Sequence, residues 1–182
     1  ELDGVISFRD INDVDTMLLA SRKTGGKSVV IGGGLLGLEA ANGLLIQGMD
    51  VSVVHLMDTL MERQLDKPAA ALLKTSLEHK GMKFLMKAQT EAILGTDKVE
   101  GIRFKDGLEI PADLVVMAVG IRPNIDLARK IGLHCERGIV VNDTMQTFDP
   151  RVYSVGECVQ HRGETYGLVA PLFEQAKVCA NH

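Results

Sequence analysis

The sequence predicts an α/β fold in which strands and helices alternate around a mainly parallel sheet. Three observations lead to this prediction. Residues 28–41 pass from a β-branched run through three glycines into helix-forming residues. Further apolar strands and amphipathic helices alternate as far as residue 86. Residues 114–119 then form a continuously apolar run, which is typical of a central strand in a parallel sheet.

The elements around the first strand follow from local signals. A short helix is predicted over 12–23, because acidic residues occupy its first turn and basic residues its last. Thr-Gly-Gly at 24–26 predicts a flexible break and a domain boundary. After the glycines we expect a helix over 35–47, a strand over 51–54, a helix over 67–80 and a strand over 83–86. The apolar face of the helix over 67–80 is formed by Ala70, Leu72, Leu73 and Leu77.

A second pattern begins after residue 86. Short alternating runs separated by Gly-Thr-Asp and Lys-Asp-Gly turns predict a three-stranded antiparallel meander over 89–94, 99–104 and 108–111. The apolar strand over 114–119 returns to the parallel sheet. These elements make one βαβαβ unit with an inserted meander over about 26–120. Beyond it we expect strands over 139–141 and 152–155 and a final helix from about residue 170.

Composition and charge narrow the functional classes. With 46% hydrophobic and 24% charged residues, the chain resembles a soluble globular protein. A net charge of −4 offers no basic surface for nucleic acid, and no apolar run approaches the roughly 18 residues of a membrane span. Cys135, Cys158 and Cys179 are widely spaced, which disfavours a zinc site and a disulfide-reductase role. We therefore expect a cytoplasmic protein and no metal site.

The glycine run is the motif with the most specific chemistry. Gly32, Gly34 and Gly37 form a GxGxxG pattern between a strand and a helix. The first glycine permits a sharp turn, the second admits a pyrophosphate to the backbone, and the third lets the helix pack close to the strand. A strand-to-helix turn without a ligand is the alternative, but the flanking elements favour a dinucleotide. The candidate cofactor-binding residues of this turn are Gly32, Gly33, Gly34, Leu35, Leu36 and Gly37.

The end of the second strand departs from the usual dinucleotide-binding pattern. An acidic residue is expected there to bind the adenosine ribose, yet the sequence has His55. The imidazole either binds the ribose or a 2′-phosphate, or it is a solvent-facing histidine at a strand end. Asp58 could supply the missing carboxylate, and Arg63 could pair with a 2′-phosphate. The choice between NADH and NADPH therefore stays open.

Two later motifs have ligand-binding character. Val119 and Gly120 open the run Val-Gly-Ile-Arg-Pro-Asn after the closing strand. Further on, Gly156 and Glu157 place an acid directly after a strand-ending glycine. Such an acid can accept a hydrogen bond from a ribityl hydroxyl while the glycine admits the ligand closely. Either motif alone could be an ordinary strand exit, but their order after the glycine run makes coincidence a poor explanation.

Taken together, these motifs resemble the two-dinucleotide-domain flavoprotein reductases of the pyridine nucleotide-disulfide oxidoreductase superfamily. The resemblance rests on Gly-Gly-Gly-Leu-Leu-Gly-Leu-Glu at 32–39, Gly-Ile-Arg-Pro-Asn at 120–124 and Val-Tyr-Ser-Val-Gly-Glu at 152–157. It implies a Rossmann-like NAD(P)H-binding domain inserted into an FAD-binding domain. By that comparison, 1–25 is an incomplete FAD-domain segment with a linker helix, 26–120 the NAD(P)H-binding domain, and 121–182 the truncated C-terminal part of the FAD domain.

Within that superfamily the chain is similar to the large subunits of assimilatory NAD(P)H-dependent nitrite reductases. The matching segments are 55–57, 60–66, 156–163 and 166–172. The resemblance implies that hydride passes from NAD(P)H to FAD and onward to an iron–sulfur cluster and siroheme in other domains. It also implies a possible small subunit and a possible homo-oligomer. Alternatives are a ferredoxin- or rubredoxin-type reductase, an NADH oxidase, or a nucleotide-sensing module without turnover.

The resemblance also assigns roles to single residues. Glu39 would lie near the nicotinamide end, and Glu157 would occupy a place where many relatives have Asp against the FAD ribityl chain. The extra methylene of Glu157 alters the usual contact geometry. No catalytic residue is assigned. We expect the 182-residue chain alone to bind NAD(P)H weakly, to bind FAD hardly at all and not to reduce nitrite.

Overall fold

A computed structural model describes residues 2–22 and 26–182. The chain divides into two compact units, 1–120 and 121–182. In the described part of the first unit, the elements are β1 (Val5–Ser7), α1 (Ile11–Ser21), β2 (Lys27–Ile31), α2 (Leu35–Ile46), β3 (Asp50–His55), α3 (Lys67–His79), β4 (Lys83–Met86), β5 (Thr90–Gly95), β6 (Val99–Phe104), β7 (Glu109–Pro111) and β8 (Leu114–Met117). Those of the second unit are α4 (Asp126–Lys130), β9 (Ile139–Val141), β10 (Val159–His161), β11 (Glu164–Thr165) and α5 (Val169–Asn181).

The first unit is built on a five-stranded parallel sheet with the order β1-β8-β2-β3-β4. Alternate residues of its central strands enter two different cores. Val30 and Val116 are fully buried in a cluster with Leu38 and Leu44 of α2. On the other side, Val29 packs in a cluster with residues of β6 and β8. Both faces of the sheet are therefore covered, which explains the continuously apolar strands.

The antiparallel meander is confirmed as a separate sheet with the order β5-β6-β7. Its register pairs Ile93 with Ile102 and Ile102 with Ile110. Ile102 and Phe104 are fully buried in the cluster that also contains Val29 and Val115 of the parallel sheet. The meander thus covers one face of the parallel sheet, as helices do elsewhere in such folds.

The segment before residue 26 contributes to the first unit. β1, which the sequence analysis missed, lies parallel to β8 and pairs Val5 with Val115. α1 begins one residue earlier than predicted, because Asp10 and Asp13 form a reciprocal capping box. The helix ends at Ser21, so Arg22 is the C-cap rather than part of the last turn. The predicted break at 24–26 falls largely on residues 23–25, outside the described residues.

Two predictions about single elements are wrong. Leu72 is 75% exposed, whereas Ala70 and Leu77 are buried in α3, because residue 72 lies off the stripe that positions 70, 73 and 77 form. The expected strand over 152–155 is reduced to one bridge between Tyr153 and Gln146. After a turn at 149–151, residues 152–154 lie beside 145–147. In the described residues these two segments share only the bridge between Tyr153 and Gln146, too little for a strand.

The second unit has its own small core and sheet. β9 and β10 are parallel, and β11 follows β10 in a hairpin. Val141, Met145 and Val159 are buried together, with the partly buried Cys158 and Cys179 packed against them. The predicted strand over 139–141 is confirmed, and the final helix begins one residue earlier than expected. Helix α4 and strands β10 and β11 were not predicted from the sequence.

Candidate dinucleotide-binding site

The turn between β2 and α2 requires glycine at its first position. Gly32 has φ +125°, a conformation that side chains rarely adopt. A Cβ atom there would lie 2.2 Å from the carbonyl oxygen of Ala118. The Gly32 amide donates to the Val54 carbonyl at 2.8 Å, which fixes the turn against β3. The predicted role of Gly32 in a sharp turn is confirmed.

The third glycine of the motif sets the distance between helix and turn. Gly37 is buried on α2, and a Cβ there would lie 2.0 Å from the carbonyl oxygen of Gly32. A methyl group cannot be accommodated against backbone atoms at that distance without displacing the helix. Gly37 therefore holds α2 close to the end of β2, as the motif predicts.

Gly34 differs from the other three glycines of the turn, Gly32, Gly33 and Gly37, because it faces open space. It is the N-cap of α2, with φ −86° and ψ −174°, and no atom of the described residues lies within 4 Å of a Cβ built on it. In the part of the chain that the structure describes, no side chain caps this helix end, and the next two residues, Leu35 and Leu36, are exposed. The first amides of a helix have no partner within it and attract anions. The open backbone at Gly34 therefore fits a pyrophosphate.

His55 lies directly beneath the glycine turn. It is only 8% exposed, which excludes the solvent-facing alternative. Its Nδ1 accepts a hydrogen bond from the Gly33 amide at 3.0 Å, and its Nε2 lies 3.1 Å from a carboxylate oxygen of Glu62. Because Nδ1 is an acceptor here, the ring proton resides on Nε2 and is donated to Glu62. Both ring nitrogens are thus occupied within the protein.

The segment after β3 is bound to the glycine turn by its backbone as well. Met61, at φ +53°, donates its amide to the Gly33 carbonyl at 3.0 Å. Leu60 is fully buried, and its side chain together with His55 leaves no room for a Cβ at Gly33. Gly33 is therefore held from both its amide and its carbonyl by residues 55–61. Sequence reasoning missed Glu62 and Met61, since this irregular turn has no periodic pattern that would reveal its contacts.

The two other candidates at the end of β3 lie apart from this network. Asp58 pairs with Lys67 at 3.4 Å, and both side chains are largely exposed. Arg63 is exposed, and within the described residues no hydrogen bond or ion pair is assigned to it. Neither residue forms a hydrogen bond or an ion pair with His55 in the part of the chain that the structure describes.

The exit of β8 also adjoins the glycine turn. The strand ends at Met117, two residues earlier than predicted, and the Ala118 amide still donates to the Ile31 carbonyl at 2.9 Å. Since Ala118 packs against Gly32, the next residues, Val119 and Gly120, leave the sheet beside the turn, and both are exposed. The predicted residues of the two motifs are thus neighbours in the first unit.

Glu39 lies on the exposed side of α2, away from the buried glycine face. It borders a small apolar concavity of about 190 Å³ between α1 and α2, together with Leu18 and Gly43. The predicted position of Glu39 near a nicotinamide stays a prediction.

In the second unit, Gly156 and Glu157 occupy the turn before β10. The Gly156 amide donates to the side-chain oxygen of Gln175 at 2.9 Å. Gln175 is a buried polar residue of α5, and it ties this turn to the helix. Glu157 is exposed. Sequence reasoning missed Gln175, whose spacing of 19 residues from Gly156 carries no local signal.

An ion-pair cluster lies elsewhere in the second unit. Asp143 accepts hydrogen bonds from Arg162 at 2.7 Å and from His161 at 2.8 Å. These bonds, that of Arg162 foremost, lower the pKa of Asp143 from 3.8 to about 2. The cluster borders an open concavity of about 650 Å³ and connects the residues after β9 with the β10–β11 hairpin. Its charges largely compensate one another.

Within residues 2–22 and 26–182, no group of histidine, cysteine, aspartate and glutamate side chains is arranged to hold a metal ion. The described helices include none that is long and apolar enough to cross a membrane.

The sequence model of the pyridine nucleotide-disulphide oxidoreductase family matches residues 1–180. The chain belongs to this family. A nitrite reductase [NAD(P)H] of Bacillus subtilis (strain 168) is 64% identical over 179 residues, 98% of this chain and 22% of that protein. An assimilatory nitrate reductase electron transfer subunit of the same strain is 52% identical and is covered to 23%. The resemblance to nitrite reductases is thus confirmed, and the chain spans about a fifth of the length of these relatives.

Solved structures of family members have the same fold. A putidaredoxin reductase in its covalent complex with putidaredoxin superposes with a TM-score of 0.91 at 29% identity, covering 97% of this chain and 44% of that one. An NAD-dependent persulfide reductase from A. fulgidus gives a TM-score of 0.91 at 31% identity, with coverage of 98% and 35%. These matches confirm the predicted fold class.

Proposed function

We propose that the chain is the electron-entry part of an NAD(P)H-dependent flavoprotein nitrite reductase. The single observation on which this rests is the open backbone at Gly34 on the uncapped N-terminus of α2, in a chain of this family. In this proposal, residues 32–37 bind the nicotinamide dinucleotide through its pyrophosphate. What favours a ligand over a ligand-free turn is the combination of this open backbone with an uncapped helix end in a chain of this family.

The residues of the turn have different roles in the proposed binding. Gly34 admits the pyrophosphate, and the free amides at the start of α2 donate to its oxygens. Gly32 and Gly37 keep the turn and helix close together, so that the amides are fixed before the ligand arrives. Preorganised donors lose little freedom on binding. Val119 and Gly120, which leave the sheet beside the turn, would border the same ligand.

Family membership implies FAD as the second cofactor. When bound, FAD supplies the chemistry of accepting a hydride as an electron pair and releasing electrons singly. In this chain, Gly156 and Glu157 are the proposed contacts to its ribityl chain. The Gln175 side chain accepts from the Gly156 amide, which fixes the backbone from which Glu157 extends. Glu39 is the proposed residue at the nicotinamide end.

The similarity to nitrite reductases supports nitrite as the final substrate. By the same similarity, an iron–sulfur cluster and siroheme would lie in other domains of the complete protein. A small subunit, a homo-oligomer and a cytoplasmic location complete the proposal. A relative from Methanocaldococcus jannaschii, an NADH oxidase 42% identical over 88% of this chain, supports dioxygen as the second candidate acceptor.

Anaerobic mixing of NADH with the complete protein tests the proposal. We expect bound flavin to lose its oxidised absorbance and to regain it when nitrite is added. Reoxidation by dioxygen but not by nitrite would favour the NADH oxidase alternative. Flavin that stays oxidised in the presence of either nucleotide would contradict electron entry and would support a nucleotide-sensing module.

A further inference from the structure

We propose that Glu62, positioned by His55, is the carboxylate that selects the 2′-hydroxyl of NADH over the 2′-phosphate of NADPH. This inference rests on the proposed binding of a dinucleotide at residues 32–37. It identifies Glu62 as a specificity-determining residue and His55 as a positioning residue.

His55 occupies the place at the end of β3 where an acid is expected. In a dinucleotide-binding fold, an acid at this place accepts a hydrogen bond from the adenosine ribose. His55 is buried, with Nδ1 engaged by the Gly33 amide and Nε2 engaged by Glu62. Its ring has no nitrogen left for a ribose hydroxyl. The acidic group at this place is instead the Glu62 carboxylate, which is hydrogen-bonded to His55 and partly exposed.

The Glu62 carboxylate has an oxygen that is available to a ligand. One oxygen of Glu62 lies 3.1 Å from His55 Nε2, and the side chain is 34% exposed. No other hydrogen bond or ion pair of Glu62 is present among the described residues. Because His55 is neutral in this arrangement, the negative charge of Glu62 is not compensated by it. A carboxylate oxygen thus remains to accept from a ribose hydroxyl.

The backbone just before Glu62 is bonded to the glycine turn. The Met61 amide donates to the Gly33 carbonyl, so the residue before Glu62 is bonded to the middle of the glycine turn. Glu62 is therefore connected to Gly33 twice, through the backbone and through the imidazole of His55. An acid held in this way beside the turn can replace the acid that the strand end lacks.

The other charged residues near the end of β3 are less suited than Glu62 to bind the adenosine ribose. Asp58 and Lys67 pair with each other at the surface. Arg63 could attract a 2′-phosphate, but within the described residues nothing bonds its guanidinium in place. Arg63 would have to be ordered to pair with a 2′-phosphate, which costs side-chain entropy, whereas Glu62 is already held by His55. The observations therefore favour NADH.

Titrations of the complete protein with NADH and with NADPH test this inference. We expect NADH to bind more tightly than NADPH. Glu62→Gln, whose side-chain oxygen can still accept from His55, should raise the affinity for NADPH relative to NADH by about tenfold. Glu100→Gln is the matched control: it removes the same charge from an exposed position on the separate β5-β6-β7 sheet, and the ratio should not change.

The possible failures are distinguishable. If the complete protein binds neither nucleotide, the proposed function fails and the inference fails with it. If the chain binds NADH but Glu62→Gln leaves the ratio of affinities as it was, only the inference is overturned. Tighter binding of NADPH than of NADH by the unmodified chain would overturn it as well and would assign the site to Arg63.

Discussion

At the scale of single residues, His55 shows how a buried polar group can organise an exposed site. Its imidazole accepts from Gly33 and donates to Glu62, so both nitrogens are satisfied although the ring is buried. A buried amide deprived of its acceptor costs about 1–3 kcal/mol. His55 therefore contributes to stability through the Gly33 bond and to recognition through Glu62.

Substitution of His55 separates these two contributions. His55→Ala leaves the Gly33 amide without its acceptor and opens a cavity, so we expect a loss of about 2–4 kcal/mol in the free energy of unfolding. His55→Asn offers a side-chain oxygen in place of Nδ1 and should recover at least about 1 kcal/mol. Urea denaturation measures both. Equal stability of the Ala and Asn variants would show that the Gly33 bond contributes nothing.

Because of Asp143, the free energy of unfolding depends on pH. Its pKa is lowered to about 2 in the folded chain by Arg162 and His161, compared with 3.8 ordinarily. The stabilisation is fully present above about pH 4 and is lost as the pH falls towards 2, because the unfolded chain binds the proton first. In Asp143→Asn, the free energy of unfolding should therefore fall less steeply between pH 4 and pH 2.

The control for Asp143 is Glu164→Gln, which removes an exposed carboxylate from the neighbouring β10–β11 hairpin. We expect this variant to keep the slope of the unmodified chain. An unchanged slope in Asp143→Asn would mean that the ion pairs with Arg162 and His161 persist equally in the unfolded chain.

At the scale of elements, helix α2 owes its position to one glycine rather than to an apolar stripe alone. Gly37 brings the helix against the Gly32 carbonyl, and the buried residues Leu38, Ala41 and Leu44 extend the contact along the sheet. Gly43, on the same helix, has nothing within 4 Å of an added Cβ and an ordinary backbone conformation. The two glycines thus provide a matched pair.

Alanine at these two positions should have opposite effects on stability. Gly37→Ala forces a methyl group to within 2.0 Å of a backbone oxygen, and we expect it to cost about 3 kcal/mol or more. Gly43→Ala should stabilise the chain by about 0.5–1 kcal/mol, as alanine does in a helix interior. Chemical denaturation of both variants measures the difference. Equal stability of the two would contradict the close packing at Gly37.

The elements that could be predicted are those whose signals lie within the element itself. α2, α3 and the meander have capping residues, periodic apolar positions or tight turns close together in the sequence. β1 was missed because three residues carry too little pattern, and its strand character depends on pairing with β8. The strand expected over 152–155 was wrong because β-branched residues favour extended backbone but cannot supply a partner strand.

At the scale of the whole molecule, the first unit contains a complete glycine turn on a parallel sheet covered on both faces. The roles of Gly32 and Gly37 could be predicted, because the GxGxxG pattern encodes backbone geometry directly. The partners of His55 could not be predicted, because they depend on the irregular turn at 56–65. The fold could be predicted from the periodic spacing of apolar residues. The hydrogen bonds around Gly33 could not, because they involve residues of an irregular turn that has no such spacing.

The central claim is that the open space at Gly34 receives the pyrophosphate of a nicotinamide dinucleotide. Gly34→Ala tests it, because the backbone angles suit alanine and nothing lies within 4 Å of the new methyl group. The variant should fold with a loss of no more than about 1 kcal/mol, because alanine is a poorer N-cap than glycine but meets no clash at this position.

Calorimetric titration with NADH should show binding to the unmodified chain and to Gly43→Ala, with affinity reduced at least about tenfold in Gly34→Ala, where the methyl group occupies the ligand's place. Equal NADH affinity in Gly34→Ala and Gly43→Ala, both folded, would contradict the claim.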